Sequence, residues 1–281
     1  MRCGTIVVLY NPTDGEISNL KHNLGKTELS IIIDNSKQSN YELVKNCGKN
    51  VKYFNFKSNI GLCKALNYGI QELLKDGCEW AFVLDADSVI DNNILNVYKN
   101  YISNNNVENV AVLAPVHIFE RSKSKAYSGN KVVKRSMTSG WFININIFEK
   151  NLGFYEPLFV DGLDHDYCYR VRKKGYKVIE CGEAIINHHP GNSIEVRFFG
   201  KKKIIGIDSP LRYRMGATGE WWNLLHNKSL YDGAFFFYRI IKVLLYFPNK
   251  NEYFRQMFKG AKKGIELYKN EKGMRTKSWT V

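Results

Sequence analysis

Residues 80–88 read Trp-Ala-Phe-Val-Leu-Asp-Ala-Asp-Ser, an apolar run that stops on two carboxylates. Such a short run bounded by turn residues has the length of a buried strand rather than of a helix. The same design occurs upstream. Residues 5–10 (TIVVLY) end at Asn11, Pro12 and Thr13, and residues 30–34 (SIIID) end at Asn35 and Ser36. Before the quoted stretch, Leu62, Ala65, Leu66, Gly69, Ile70, Leu73 and Leu74 recur at helical spacing, and Gly77 supplies a stop. After it, residues 94–102 repeat the helical period and residues 111–116 form one more apolar run. Strand and helix thus alternate over the first 120 residues, which predicts an α/β fold with a mainly parallel sheet. Ligands of open sheets of this kind sit at the carboxyl ends of the strands, where Asn11, Asp34, Asn35, Asp85 and Asp87 fall.

The chain of 281 residues, 44% hydrophobic and 24% charged, is long enough for one core with an appendage. Its six cysteines are scattered without a C-x-x-C pair, and no basic-then-apolar leader opens the chain, so reduced cytosolic thiols are expected. No apolar run reaches the roughly 18–20 residues that span a bilayer. The nearest, residues 234–247, is interrupted by Arg239 and Lys242, which predicts a soluble or peripheral protein. Charge is unevenly placed: residues 191–281 carry 18 Lys and Arg against 7 Asp and Glu, while the formal net charge of the whole chain is +14. A basic C-terminal third points to a polyanionic partner, whether nucleic acid, anionic lipid or phosphate-bearing substrate, or else to a solvated surface.

Asp85 and Asp87, two residues apart at a strand end, are suited to Mg²⁺ or Mn²⁺, which in turn binds phosphate oxygens. Alone, a D-x-D is as well explained by a solvated turn. Its context is more specific. The order YNP (10–12), IIIDNS (31–36), NIGLCKALNYG (59–69) and FVLDADS (82–88) resembles the nucleotide-binding half of the inverting glycosyltransferase family 2. The resemblance implies a GT-A fold, Rossmann-like with a mainly parallel central sheet and flanking helices, and a nucleotide-sugar donor. It implies that Asp34 reads the donor's pyrimidine edge and that Asn59, Gly61 and Asn67 flank the nucleoside. Lys64 would approach the diphosphate, and Tyr10, Asn11, Asn35 and Ala86 would complete the nucleotide site with Asp85. The structural alternatives are that Gly61 only begins a helix, Asn67 hydrogen-bonds within it and Lys64 is solvated.

A second constellation, FVDGLDHDYCYR (159–170) followed by VRKKGYKV, resembles the acceptor-side motif of the same family. Asp164 matches the family's base. The Glu that usually precedes it is Leu163 here, so Asp164 and Asp166 both stand as catalytic candidates. The D-x-x-D-x-E-W-C-x-R pattern of rhamnosyltransferase-like members fits better, and it places Asp161 on the acceptor side. The plain alternative is that Asp164 caps a helix and Asp166 stabilises its first turn. Residues 138–141 (TSGW) and 209–212 (SPLR) resemble elements of those members too, which implies that Ser139, Gly140 and Trp141 lie by the sugar. Residues 188–191 (HHPG) resemble the family's H-x-x-G element, which implies that His188 completes the metal shell; the plain alternative is a surface His beside a Pro-Gly turn.

In the tail, Trp221, Trp222, Phe235, Phe236, Phe237 and Tyr238 lie among Arg239, Lys242, Arg255 and Lys259. Two contacts fit this mixture: an anionic membrane surface, or packing on the catalytic domain or a second subunit as a homodimer. The expected organisation is a GT-A catalytic domain over 1–215, its halves meeting near residue 120, and a basic helical C-terminal region over 216–281. The expected function is metal-dependent, inverting transfer from a dTDP-rhamnose or UDP-sugar donor. The acceptor would be a cell-surface polysaccharide or polyprenyl-diphosphate-linked glycan, reached from the cytoplasm at the inner face of the membrane. The alternative from another class is a nucleic-acid-binding protein using the basic region, although no nucleic-acid module is present.

Overall fold

The computed structural model describes residues 1–91, 93–118, 125–187, 193–198 and 201–277. Its first strands follow the apolar runs: β1 (Cys3–Leu9), β2 (Leu29–Asp34) and β3 (Val51–Asn55), with β1 and β2 almost wholly buried. Helix α1 (Asp14–Asn23) connects β1 to β2 and opens with a capping box in which Thr13 and Glu16 satisfy each other's backbone N–H groups. A single turn, α2 (Tyr41–Val44), precedes β3. Helix α3 (Leu62–Lys75) buries the stripe Ala65, Leu66, Gly69, Ile70 and Leu73 and leads to β4 (Trp80–Asp85). The two-residue β5 (Val89–Ile90), α4 (Ile94–Asn104) and β6 (Val110–Ile118) come next.

A short strand, β7 (Asn130–Val132), follows. It is exposed, and backbone pairing rather than an apolar pattern defines it. The remaining elements are β8 (Phe142–Asn144), α5 (Ile145–Lys150), α6 (Leu163–Lys173), β9 (Lys177–Asn187), β10 (Ser193–Phe198), β11 (Lys201–Gly206), α7 (Pro210–His226), α8 (Leu230–Tyr246) and α9 (Lys250–Lys277).

The main sheet has the order β3-β2-β1-β4-β8-β6-β9-β5, with β7 also on β9, while β10 and β11 form a hairpin. Strands β1, β2, β3, β4, β6 and β9 share one direction, and β5, β7 and β8 oppose them. The sheet is therefore mainly parallel. By compactness the chain divides into two units, Met1–Glu156 with Tyr167–His189, and Pro157–Asp166 with Pro190–Val281. Residue 215, the expected domain limit, lies within α7.

In the first unit, consecutive Trp141 and Phe142 serve opposite faces of the sheet, as strand alternation requires. Phe142 stacks on Trp80 and Tyr98 at centroid distances of 5.2 and 5.6 Å. Trp141 joins Phe148, Phe154 and Tyr167 in a separate aromatic cluster. All six cysteines are free and buried.

The second unit is built on α7, which packs against α8 and α9. Its apolar core holds Tyr213, Ala217, Phe236, Val243, Phe247, Tyr253 and Met257. Arg239, which interrupts the apolar run in the sequence, is buried here. Its guanidinium lies 4.0 Å from the Tyr213 ring centroid and donates to Glu220 Oε1 at 2.6 Å. Burial pushes the Glu220 carboxyl up, and Arg239 opposes that shift. None of the described helices is long and apolar enough to cross a membrane.

Helices α7 and α9 approach closely because Gly260 has no side chain: a Cβ there would lie 2.1 Å from the Arg214 carbonyl oxygen. Gly260→Ala must push two backbones apart, and a loss of about 1–3 kcal/mol is expected. Chemical denaturation followed by far-UV circular dichroism measures it; parental stability would show that the α7–α9 contact yields freely.

Candidate active site

The site begins with the register of β1. It lies between β2 and β4, parallel to both, with Leu9 opposite Asp34 and Val8 opposite Asp85. Adjacent strands are separated by about 4.8 Å, so the backbones of Asp34 and Asp85 stand about 10 Å apart at one sheet edge. The chain runs outward through β2 and β3 and resumes on the other side of β1 with β4. A crevice for ligands forms where strand order reverses in this way.

Asp34 is fully buried, and donors surround its carboxylate. Oδ1 accepts from the Ser36 backbone N–H at 2.8 Å. Oδ2 accepts from Tyr53 Oη at 2.5 Å, and from the backbone N–H and the Nδ2 of Asn40 at 3.0 and 2.9 Å. Burial pushes this carboxyl up, but the hydrogen bonds from Ser36, Tyr53 and Asn40 outweigh it and leave the carboxyl below its ordinary value. The residue expected to read a base edge is thus occupied in organising the loop after β2. Beside it, Asn35 Nδ2 donates to the Gly61 carbonyl at 3.3 Å, while its buried Oδ1 has no hydrogen-bond partner among the described residues. Asn11 donates its backbone N–H to Ser36 Oγ at 2.7 Å, and Tyr10 is exposed at the end of β1.

Asp85 ends β4 half-buried, and Asp87, two residues on, is exposed. The Ser88 N–H donates to the Asp85 carbonyl at 3.1 Å and closes the turn. Helix α1 clamps it from one side: Asn19 Nδ2 donates to the Asp87 carbonyl at 3.2 Å, and buried Asn23 donates to the Ser88 carbonyl at 2.7 Å. Ser139 braces the turn as well, since its Oγ shares a 2.8 Å hydrogen bond with Ser88 Oγ. Gly140 has φ +80°, and a Cβ would come within 2.3 Å of Ile186 and 2.7 Å of Pro115, so only glycine fits. Trp141 is wholly buried.

Two carboxylates on a fixed turn are hard oxygen donors, the donor set that Mg²⁺ or Mn²⁺ takes when phosphate oxygens complete its shell. Among the described residues no three His, Cys, Asp or Glu side chains are grouped as a metal cluster. His188 lies outside the described residues.

Asn59 Oδ1 accepts from the Gly61 N–H at 3.0 Å and shapes the entry to α3, while Lys64 is exposed. The amide of Asn67 clamps Phe154: Oδ1 accepts from its N–H at 2.8 Å and Nδ2 donates to its carbonyl at 2.9 Å. These bonds span 87 residues and so differ from the expected alternative, a hydrogen bond within the helix.

Within the second unit the two base candidates differ sharply. Asp166 is fully buried, and its Oδ1 accepts from Trp222 Nε1 at 2.9 Å and from Asn227 Nδ2 at 3.2 Å. Asp164, in the first turn of α6, is half-buried, and its Oδ1 accepts from the His165 N–H at 2.9 Å. Burial pushes its carboxyl up, with His165 opposing. Asp161 pairs with Arg212 at 2.8 Å. His165 Nδ1 lies 2.7 Å from Oδ1 of buried Asp232. The supporting residues Asn19, Asn23, Asn40, Tyr53 and Asp232 are not singled out by the sequence, and Trp222 is read there only as one of the tail aromatics. Only Asn23 gave a signal there, as a polar residue beside the apolar positions Ile17, Leu20 and Leu24.

Residues 17–162 match the family described as Glycosyl transferase family 2. The chain is 28% identical over 233 residues to the dTDP-rhamnosyl transferase RfbF of Shigella flexneri, covering 73% of each. Its fold is like that of S. aureus TarS 1-349 in complex with UDP-GlcNAc, with TM-score 0.53, 14% identity, and 92% of this chain and 70% of that one covered. It is also like GalNAc-T7 with UDP, GalNAc and Mn²⁺, with TM-score 0.54, 15% identity and 71% of this chain covered. The present chain spans 44% of that protein's length. The family match and these likenesses lend no support to the nucleic-acid-binding alternative.

Asp34→Asn would set an amide against the donors of Ser36, Asn40 and Tyr53, and should cost about 2–3 kcal/mol at neutral pH. The folded-state pKa lies below the ordinary 3.8, so the carboxylate's contribution is complete above that value and is lost as pH falls through the folded-state pKa. The stability gap between parent and variant should therefore narrow below about pH 4. Urea denaturation of both proteins across that range measures the gap, and one that did not change with pH would exclude a role for the charge.

Proposed function

Because the chain belongs to glycosyl transferase family 2, we propose that it moves a sugar, with inversion, from a dTDP- or UDP-linked donor to a glycan or polyprenyl-diphosphate-linked acceptor. dTDP-rhamnose is the first donor to test, on the likeness to RfbF. The observation that carries this reading is the pairing of β1 with β2 and β4, which puts Asp34 and Asp85 at one sheet edge.

The donor's nucleoside would lie against the loop that Asp34 organises, with the unpartnered Oδ1 of Asn35 as acceptor and Tyr10 as an exposed ring beside it. Asp85 and Asp87 are the residues that would hold Mg²⁺ or Mn²⁺, with His188 as a third candidate; such an ion supplies counter-charge to a departing diphosphate. Asp164 is the proposed base. It accepts the acceptor hydroxyl's proton while that oxygen bonds to the anomeric carbon, and the bond to the diphosphate breaks with its electron pair leaving on the nucleotide. Support for Asp164 over Asp166 comes from access: a half-buried carboxylate with a raised pKa can take a proton from substrate, whereas one sealed by Trp222 and Asn227 cannot. The setting proposed is the cytoplasm, at the inner face of the membrane.

Asp164→Asn should lower transfer by about 10²- to 10⁴-fold, with donor affinity near the parent's in titration calorimetry. Loss of transfer in Asp166→Asn at parental stability, with Asp164→Asn active, would move the assignment to Asp166. In the parent, the raised pKa of Asp164 should set the acid limb of the pH–rate profile above the ordinary aspartate value of 3.8.

Asp87 is exposed, so Asp87→Ala should keep the parent's melting temperature. Its transfer should be abolished, as should the parent's in excess chelator. Full activity in either assay would remove the metal from the mechanism.

A further inference from the structure

Helix α8 presents a face that a helix in water does not ordinarily carry. Leu230, Phe237, Tyr238, Ile241, Leu244 and Leu245 fall on one side of it, and each is 52–81% exposed. The opposite side, with Phe236 and Val243, is buried in the core of the second unit. The helix's charged residues stay off the exposed face: Asp232 and Arg239 are buried, and Lys242 stands at the border with its ammonium 5.5 Å from the Phe247 ring. A helix on the surface of a soluble protein turns polar residues outward. Here both sides are apolar over a length of about 25 Å, which is more than isolated exposed side chains account for.

Charge selects the occupant. The chain has a formal net charge of +14, of which +11 lies in residues 191–281, so a second copy would bring like charge to the contact. Exposed Lys228 and Lys250 bracket α8 at its two ends. Tyr231 and Tyr238 lie along one flank, their rings suited to hydrocarbon and their hydroxyls to a wet boundary. An apolar helix face bracketed by cations is the arrangement that lies in the plane of a negatively charged lipid surface.

We infer that the exposed face of α8 is a docking surface for an anionic phospholipid bilayer. The docking deepens the transferase reading, on which its consequence for the acceptor rests. Asp232, on the buried side of the first turn of α8, holds His165, the neighbour of Asp164. The proposed base then belongs to a group of side chains about one helix diameter, about 10 Å, from the lipid-facing side. An acceptor carried on a membrane lipid, with its glycan standing out of the headgroup layer, suits that placement.

The test is flotation of the full chain with vesicles of phosphatidylcholine alone and of equimolar phosphatidylcholine and phosphatidylglycerol. The parent should float with the anionic vesicles and be released by salt. A variant with Phe237→Ser, Ile241→Ser and Leu244→Ser should partition about tenfold or more below the parent, with unchanged melting temperature and unchanged donor hydrolysis in the absence of acceptor. Failure of the parent to float with anionic vesicles overturns the inference. A parent that light scattering shows to be a dimer, made monomeric by the three substitutions with vesicle binding intact, overturns it too and gives the face to a second copy. Flotation is read without any sugar donor, so failure of the transferase reading would leave its result standing.

Discussion

The parallel pairing of β1 with both β2 and β4 is the constraint from which the rest of the first unit follows. Three neighbouring strands that are buried along nearly their whole length must run through the centre of that unit. Their polar ends can emerge only at the edges. Parallel direction sends all three carboxyl ends to the same edge, and the register sets Asp34 and Asp85 on either side of Leu9 and Val8. Had β1 run antiparallel to both neighbours, Asp34 and Asp85 would still share an edge, but the end of β1, with Tyr10 and Asn11, would lie at the opposite one. The crossover helices demanded by parallel pairing then supply the second layer of control, because α1 carries the Asn19 and Asn23 amides that hold the Asp85–Ser88 turn.

Two of the chain's carboxylates, Asp34 and Asp166, are used as buried frames rather than as exposed reagents. Each sits where several donors converge, and each ties together segments distant in sequence. A buried carboxylate is tolerable only when its lone pairs are met, and once met it resists rearrangement, since breaking any one bond leaves charge unpaired in a poorly solvating place. Asp87, exposed, and Asp164, half-buried, have no such shell of side-chain donors among the described residues and differ from the two framing acids in access to solvent.

Much of the first unit was legible in the sequence because its signals are local. Apolar runs with turn residues marked β1, β2 and β4 to within a few residues, and the helical period marked α3 and α4. Three-residue strands such as β7 and β8 hold no period and were invisible. The ordered carboxylates were legible through resemblance, but what surrounds them was not. Tyr53 reaches Asp34 across 19 positions, Trp222 reaches Asp166 across 56 and Asp232 reaches His165 across 67. No spacing rule connects residues so far apart; tertiary packing alone brings them together. In the tail, Arg239 reads only as a cation interrupting an apolar run, because the sequence carries no sign that Glu220 waits for it in the core.

The six buried thiols have a practical consequence. A thiolate, not a thiol, attacks alkylating and oxidising reagents, and burial pushes Cys3 and Cys181 up to about 12. With all six buried, the folded chain should react slowly with maleimides and mild peroxide. A single cysteine introduced on the surface would be the reactive thiol, and a fluorophore or spin label attached there would report on its own position without the native six being removed first.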